Sequence, residues 1–352
     1  MKGKIMLDHF YIGANSPDEK GGVIIYRRER EAGKKEYTKA GFLPLKGVSY
    51  FILSPDEKFL YLVRNEEGNG FLDTFAVEEK GAKLSFIKEI SSRGASCCHL
   101  TLSPDGKYIY LANYRTGSFA QMAMKEGLPC EETFLLIEHK GECGPNEARQ
   151  EGPHCHFTGF TPDGKYLCVV DLGLDAVLLY AYSPFKGIEK TASIIHKEEP
   201  GQGPRHLVFS PCGLYCYIVN ELVNTVSFLA YHPLAGSLKR LANYSIIPAD
   251  FKDFTKASAI RISPDGKYLF ATNRGHESCA CFRIKGDHSP ELYAITPIEG
   301  ESPRDMNFLE GGKKVGFCNE FTSDVTIFDL DEEGNLTFTG EKLPAAGALC
   351  LL

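Results

Sequence analysis

SPDEKFLYLVRN (54–65), SPDGKYIYLAN (103–113), TPDGKYLCVVD (161–171), SPCGLYCYIVN (210–220) and SPDGKYLFATN (263–273) are copies of one short unit, and they decide the fold. A sixth copy, LEGGKKVGFCN (309–319), has a degraded turn but keeps its length, and FYIGAN (10–15) matches the tail of the same unit. The prolines at 55, 104, 162, 211 and 264 are 49, 58, 49 and 53 residues apart, a period that belongs to propeller blades or a solenoid. Proline presets φ near −65° and glycine supplies the positive-φ position, so turn chemistry alone explains the recurrence of Pro-Asp-Gly. We give that motif no catalytic role.

Each copy reads as four strands. In 203–247 the runs HLVFS, YCYIVNE, TVSFLAYH and LKRLANYSII are separated by PCG, LVN and PLAG. The runs are rich in Val, Ile, Tyr and Phe and bounded by turn residues, as short antiparallel strands require. Seven ends of the second strand can be counted, at Asn15, Arg64, Asn113, Asp171, Asn220, Asn273 and Asn319. The chain therefore starts inside a blade, and AAGALCLL (345–352) supplies that blade's missing first strand. Closing one blade from both termini removes two exposed sheet edges. The expected fold is all-β: a single seven-bladed β-propeller over 1–352, with four antiparallel strands per blade. The longest insertion, EHKGECGPNEARQEGPHC (138–155), falls on a loop leading into a first strand.

Of the 352 residues 43% are hydrophobic, ample for a packed core, and 39 basic against 46 acidic residues give a net charge of −7. That balance argues against a general nucleic-acid binder, whose phosphate contacts need clustered Lys and Arg. The opening MKGKIMLDHFYIG lacks the apolar run and small-residue cleavage site of a secretory signal. No segment approaches the roughly 20 apolar residues of a membrane span. Twelve cysteines are too sparse for a disulfide scaffold and read as reduced thiols, which points to the cytoplasm.

Propeller geometry turns the repeat into a site. The first and second strands of each blade form a hairpin, so the start of one and the end of the other meet opposite the SPDG turn, and equivalent positions form rings about the channel. Six residues before the turn proline, or before Glu310 in the sixth copy, stand Ser49, Cys98, His156, Arg205, Ser258 and Arg304. Ten after it stand Asn65, Tyr114, Leu172, Glu221, Arg274 and Glu320. One mouth should thus gather acid, base and cation. Several Arg converging there would repel one another unless an anion or carboxylate joins them. Asn113, Asn220 and Asn273 are either turn formers or substrate contacts, and His276 and Arg304 are further candidate contacts. His154 and His156 are expected on one strand face; no third ligand stands at metal spacing, so no metal or cofactor is expected. Cys155 should point away from that face.

The strings GPRHLVFSPCGLYCYIVNELVNTV (203–226), GPHCHFTGFTPDGKYLCVVDLGLDAV (152–177) and SPDGKYLFATNRGHESCACF (263–282) resemble the lactonase family of seven-bladed propellers. That family includes the cytoplasmic propeller-type 6-phosphogluconolactonase of bacteria and the fungal 3-carboxy-cis,cis-muconate lactonizing enzyme. The resemblance runs from FYIGA to the last strand. It implies a catalytic set of His156, Arg205, Glu221 and Arg274, with Glu221 or His156 as the acid–base group. His154, Asn113, Tyr114, Asn220, Asn273, His276 and Arg304 would contact the substrate. The implied activity is metal-independent hydrolysis of an anionic sugar-acid lactone, 6-phosphogluconolactone first, in the oxidative pentose phosphate route. The alternatives are a muconate-type cycloisomerase and a non-catalytic binding platform. Beyond a small anionic lactone or carboxylate, no nucleic acid or membrane partner is expected, and the oligomeric state should be monomer or weak homodimer. The sixth turn, LEGG, and the opening YIGANS depart from the family pattern.

Overall fold

The SPDG hairpins take the expected form. In the second copy Ser103 Oγ donates to Asp105 Oδ1 at 2.7 Å, and Tyr108 N donates to Ser103 Oγ at 3.0 Å. Lys107 N donates to Asp105 Oδ1 at 3.1 Å, and Gly106 takes φ 70°. Three side-chain bonds and one left-handed glycine thus fix a tight reversal between two apolar strands. The first copy reads SPDE and places Glu57 itself at φ 59°. The sixth, without Ser or Asp, turns through a short 3-10 element at Glu310–Gly312, with Gly311 and Gly312 both at positive φ.

The computed structural model describes residues 9–16, 18–28 and 37–352. These form seven antiparallel sheets, and no α-helix occurs among them. The fifth blade shows the pattern: Pro204–Phe209, Tyr215–Asn220, Thr225–His232 and Ser237–Ser245, hydrogen-bonded in that order. We call these strands A to D from the channel outward. The fourth blade departs slightly, because its outer strand is broken into Gly187–Ile188 and Ile194–Lys197, both pairing with Ala176–Ser183.

Closure occurs as the sequence requires. The C-terminal strand Ala348–Leu351 pairs with His9–Ala14, with Ile12 opposite Leu351 and Gly13 opposite Cys350. Tyr11 and Leu352 exchange both backbone bonds, at 2.7 and 3.0 Å. The apolar cores lie between neighbouring blades. Leu351 packs with Phe10, Ile12, Val325 and Ile327, while Cys350 packs with Tyr11, Val48 and Leu62 on the other side. One short strand therefore completes two interblade cores. The start 1–8, where a leader was sought in the sequence, lies outside the described residues, and no described helix is long and apolar enough to cross a membrane.

Leu351 is 3% exposed and Leu234 fully exposed. Leu351→Ala should cost about 2–5 kcal/mol in urea unfolding, as for other buried leucines. Leu234→Ala should change stability by no more than about 0.5 kcal/mol. Equal effects would mean that the terminal strand does not seal the ring.

Candidate functional site

Five of the seven A strands start seven residues before the turn that follows them, and a β-bulge interrupts their first rungs, as between Cys97 and His99, between Cys155 and Phe157, and between Pro204 and His206. The bulge breaks the simple alternation of faces and lets consecutive side chains turn toward the channel. At the end opposite the SPDG turns this produces a cavity of about 360 Å³ lined in part by Ser49, Asn65, Cys98, Tyr114, His156 and Glu221. Arg149, Lys256, Arg274, Arg304 and Glu320 complete its charged wall. A larger hollow of about 950 Å³ opens between the outer strands of the first and seventh blades. Its described lining contains neither histidine nor arginine.

Glu221 is the centre of the site. Its Oε2 is 3.1 Å from both Arg205 Nε and Arg274 Nη2, and its Oε1 accepts from Arg149 Nη2 at 2.6 Å. The carboxylate is 2% exposed. Burial pulls its pKa up, but Arg274 and Arg205 outweigh that and hold it well below the usual 4.5. Arg205 also donates to Ser258 O at 2.6 Å, and Arg274 to Ala257 O at 2.9 Å. Burial and the neighbouring Arg274 bring the Arg205 guanidinium down to about 9, still cationic at neutral pH. Arg205 lies beneath Glu221, outside the cavity lining, so its direct role is to hold the carboxylate. The Nε atoms of Arg205 and Arg274 have no aligned hydrogen-bond acceptor, so Arg205 acts on Glu221 through charge.

His156 faces the same space. Its Nδ1 lies 3.9 Å from Cys98 Sγ, and its ring meets Tyr114 and His206 edge-on at 5.3 and 5.2 Å. Burial, then Arg205, push its pKa well below 6.5, so the imidazole is neutral at pH 7. Burial raises the Cys98 thiol to about 12, which leaves it protonated and a poor nucleophile.

Of the predicted contacts, Tyr114 and Arg304 line the cavity, Arg304 standing 3.9 Å from Glu320. Five others are placed elsewhere. Asn113, Asn220 and Asn273 are fully buried; Asn113 donates to Ser118 Oγ, Asn220 to Ser227 Oγ, and Asn273 to Asn224 Oδ1. They fasten the ends of their own strands. His154 is stacked flat on Tyr114 at 4.4 Å, bonded to Tyr114 O at 3.0 Å, and supports the wall from outside the cavity. His154 precedes the strand Cys155–Phe160, and its ring and that of His156 both pack against Tyr114. His276 packs on Phe251 and bonds Ser278 Oγ at 2.7 Å.

Two cations escaped sequence reasoning. Arg149 comes from the 138–155 insertion, which is pinned by the turn Arg149 N to Asn146 O at 3.0 Å and by Gln150 Nε2 donating to Leu172 O at 2.9 Å. Lys256 stands two residues before Ser258, the ring position of its blade. The insertion also contributes His139, whose Nδ1 is 2.7 Å from Asp171 Oδ2, with Cys155 Sγ 3.3 Å from that nitrogen. These three could in principle meet around a metal, a grouping the sequence reading did not anticipate. Asp171 Oδ1, however, accepts from His154 N at 2.7 Å and Leu174 N at 3.0 Å. The cluster therefore ties the insertion to the blade.

The family description Lactonase, 7-bladed beta-propeller, matches residues 9–352. The chain is 32% identical over 346 residues to the 6-phosphogluconolactonase of Bacillus subtilis (strain 168), covering 97% of each. Among solved structures it superposes on a candidate 6-phosphogluconolactonase from Bacteroides fragilis with a TM-score of 0.88 at 28% identity, covering 98% of this chain and 97% of that one. It superposes on the periplasmic gluconolactonase of Pseudomonas aeruginosa with a TM-score of 0.89 at 24% identity, a likeness of fold, covering 98% of each.

Glu221→Gln leaves three guanidinium groups facing one another without their counter-charge. It should cost about 3–5 kcal/mol at pH 7 by urea unfolding. Glu221 is more acidic folded than unfolded, so its contribution is complete above the ordinary carboxylate range and is lost as pH falls through the depressed folded value. The gap between variant and wild type should therefore begin to narrow below about pH 4.5, where the unfolded carboxylate takes up its proton, and close as pH falls through the depressed folded value; a gap unchanged with pH would remove Glu221 from the network.

Proposed function

The chain belongs to the lactonase family of seven-bladed β-propellers, and on that premise we propose that it hydrolyses an anionic sugar-acid lactone, 6-phosphogluconolactone, without a metal. One observation carries the reading: in a protein of net charge −7, five cations (Arg149, Arg205, Lys256, Arg274 and Arg304) face two carboxylates (Glu221 and Glu320) around a neutral imidazole. The excess of three positive charges suits an anion. The imidazole suits proton transfer.

His156 is the general base in this mechanism. It is deprotonated at neutral pH and borders the cavity. Glu221 is poorly suited to that task, since both its oxygens face guanidinium groups that hold its pKa down. A water attacks the lactone carbonyl carbon as His156 takes its proton, and the nearby Glu221 carboxylate steadies the imidazolium that forms. Arg274 and Arg304 offset the charge that develops on the carbonyl oxygen. The tetrahedral centre then collapses, the ring C–O bond breaks, and the imidazolium returns its proton to the departing alkoxide. The product is the open-chain acid, which gives its remaining proton to solvent and leaves as the carboxylate.

The relative from Bacillus subtilis supports the phosphorylated lactone, and through it a place in the oxidative pentose phosphate route. Twelve unpaired cysteines, of which only Cys212 is exposed, fit a reducing cytoplasm.

A coupled assay with fresh 6-phosphogluconolactone tests the proposal. Wild type should accelerate ring opening equally with and without chelator. The active form needs unprotonated His156, so activity should stay flat down through pH 6.5 and fall only well below it. His156→Asn should lower kcat by about 10²–10⁴-fold and abolish that acid limb. A limb that survives in His156→Asn transfers the base role to Glu221. No acceleration by wild type, or ring closure of a muconate instead, overturns the assignment.

A further inference from the structure

The sixth blade breaks the rule that sets where an A strand begins. Its strand Lys256–Ile262 starts eight residues before the turn proline, where the other five copies start seven before. Its B strand, Tyr268–Arg274, is correspondingly one residue longer than the Asn-terminated copies. The additional rung pairs Lys256 with Arg274. Two cations directly opposite each other on adjacent strands oppose folding. Both side chains also line the same cavity.

Their circumstances differ. Arg274 is neutralised by Glu221 at 3.1 Å and bonded to Ala257 O. Lys256 forms no ion pair and no side-chain hydrogen bond among the described residues, and its ammonium contacts only the face of Phe254, 5.6 Å from the ring centre. Burial, then the adjacent Arg274, with Arg149 and Arg304 adding to it, lower its pKa against the pull of Glu221. Arg149 is occupied by Glu221, and Arg304 retains Glu320, so Lys256 is the cavity cation that lacks a carboxylate. A repulsive rung whose more open member has no counter-ion is the arrangement expected where a ligand supplies the missing charge.

We propose that Lys256 is a specificity-determining residue that binds the phosphate of the substrate, and that this additional rung sets a preference for phosphorylated over unphosphorylated lactones. The inference rests on the lactonase reading above. A phosphate dianion beside Lys256 neutralises the Lys256–Arg274 repulsion. An unphosphorylated lactone leaves that repulsion in place.

The experiment compares wild type, Lys256→Met and Lys256→Arg on 6-phosphogluconolactone and gluconolactone, with melting curves in buffer with and without inorganic phosphate. In Lys256→Met, kcat/KM for the phosphorylated lactone should fall tenfold or more, mainly through KM, and the ratio between the two substrates should collapse. Lys256→Arg should keep most of that ratio. Wild type should melt higher with phosphate, whereas Lys256→Met should melt at or above wild type without phosphate and gain nothing from it. A wild-type substrate ratio in Lys256→Met overturns the inference and leaves the lactonase reading standing. If wild type opens neither lactone, that reading fails, and the melting curves decide Lys256 alone: equal phosphate gains in wild type and Lys256→Met refute it, and a gain confined to wild type upholds the anion site.

Discussion

The backbone ladder between Ala348–Leu351 and His9–Ala14 is the constraint on which the rest depends. Each interblade core needs a blade on either side, so an open ring would expose two apolar faces at once, those around Val325 and around Val48. Closure also sets the radius of the channel. Positions 156, 205, 221 and 274 come from three different blades, and only a closed ring holds their ends at one mouth. The stability of the site and that of the fold are thus the same quantity, secured by four residues at the end of the chain.

Within that frame the site is organised by charge. A single buried carboxylate, Glu221, gathers one guanidinium from its own blade, one from the next, and one from a loop. Burying it alone would be prohibitive; burying the guanidinium groups without it would be equally so. Packed together they leave a positive remainder at the cavity, since the protein supplies fewer carboxylates there than cations. His156 escapes protonation for the same reason, because burial and the nearby Arg205 both disfavour an imidazolium while the site is empty. On the proposed reading, the field that recruits an anion also keeps the base ready.

Much of this was legible in the sequence because it followed from periodicity. The SPDG copies fixed the hairpins, the hairpins fixed which residues share a mouth, and His156, Glu221, Arg274, Tyr114 and Arg304 line it. Errors arose where a residue's role depends on local hydrogen bonding. Asn113, Asn220 and Asn273 stand at ring positions, yet their amides are occupied by neighbouring Ser and Asn side chains. His154 supports the Tyr114 ring from outside the cavity instead of lining it. Arg205 occupies the predicted ring but lies under the carboxylate. Arg149 was invisible for another reason: an insertion has no counterpart in the repeat, and only the folded turn at Asn146 shows where its guanidinium reaches. Lys256 was missed by a single rung of register.

That last case shows where a repeat protein keeps its individuality. A propeller blade has little freedom in its apolar B and C strands, whose side chains are fixed by two interblade cores. Freedom remains at the rim, where one more ladder rung or a longer loop adds a side chain to the cavity without disturbing a core. Arg149 and Lys256 arrive by these two routes, one from a loop and one from a strand extension, and both are cations. On the proposed reading the repeated scaffold supplies His156 and Glu221, Arg149 adds a counter-charge to Glu221, and Lys256 tunes which anion is held. A change at Lys256, on that same reading, alters selectivity while leaving the Glu221 network of Arg149, Arg205 and Arg274 intact.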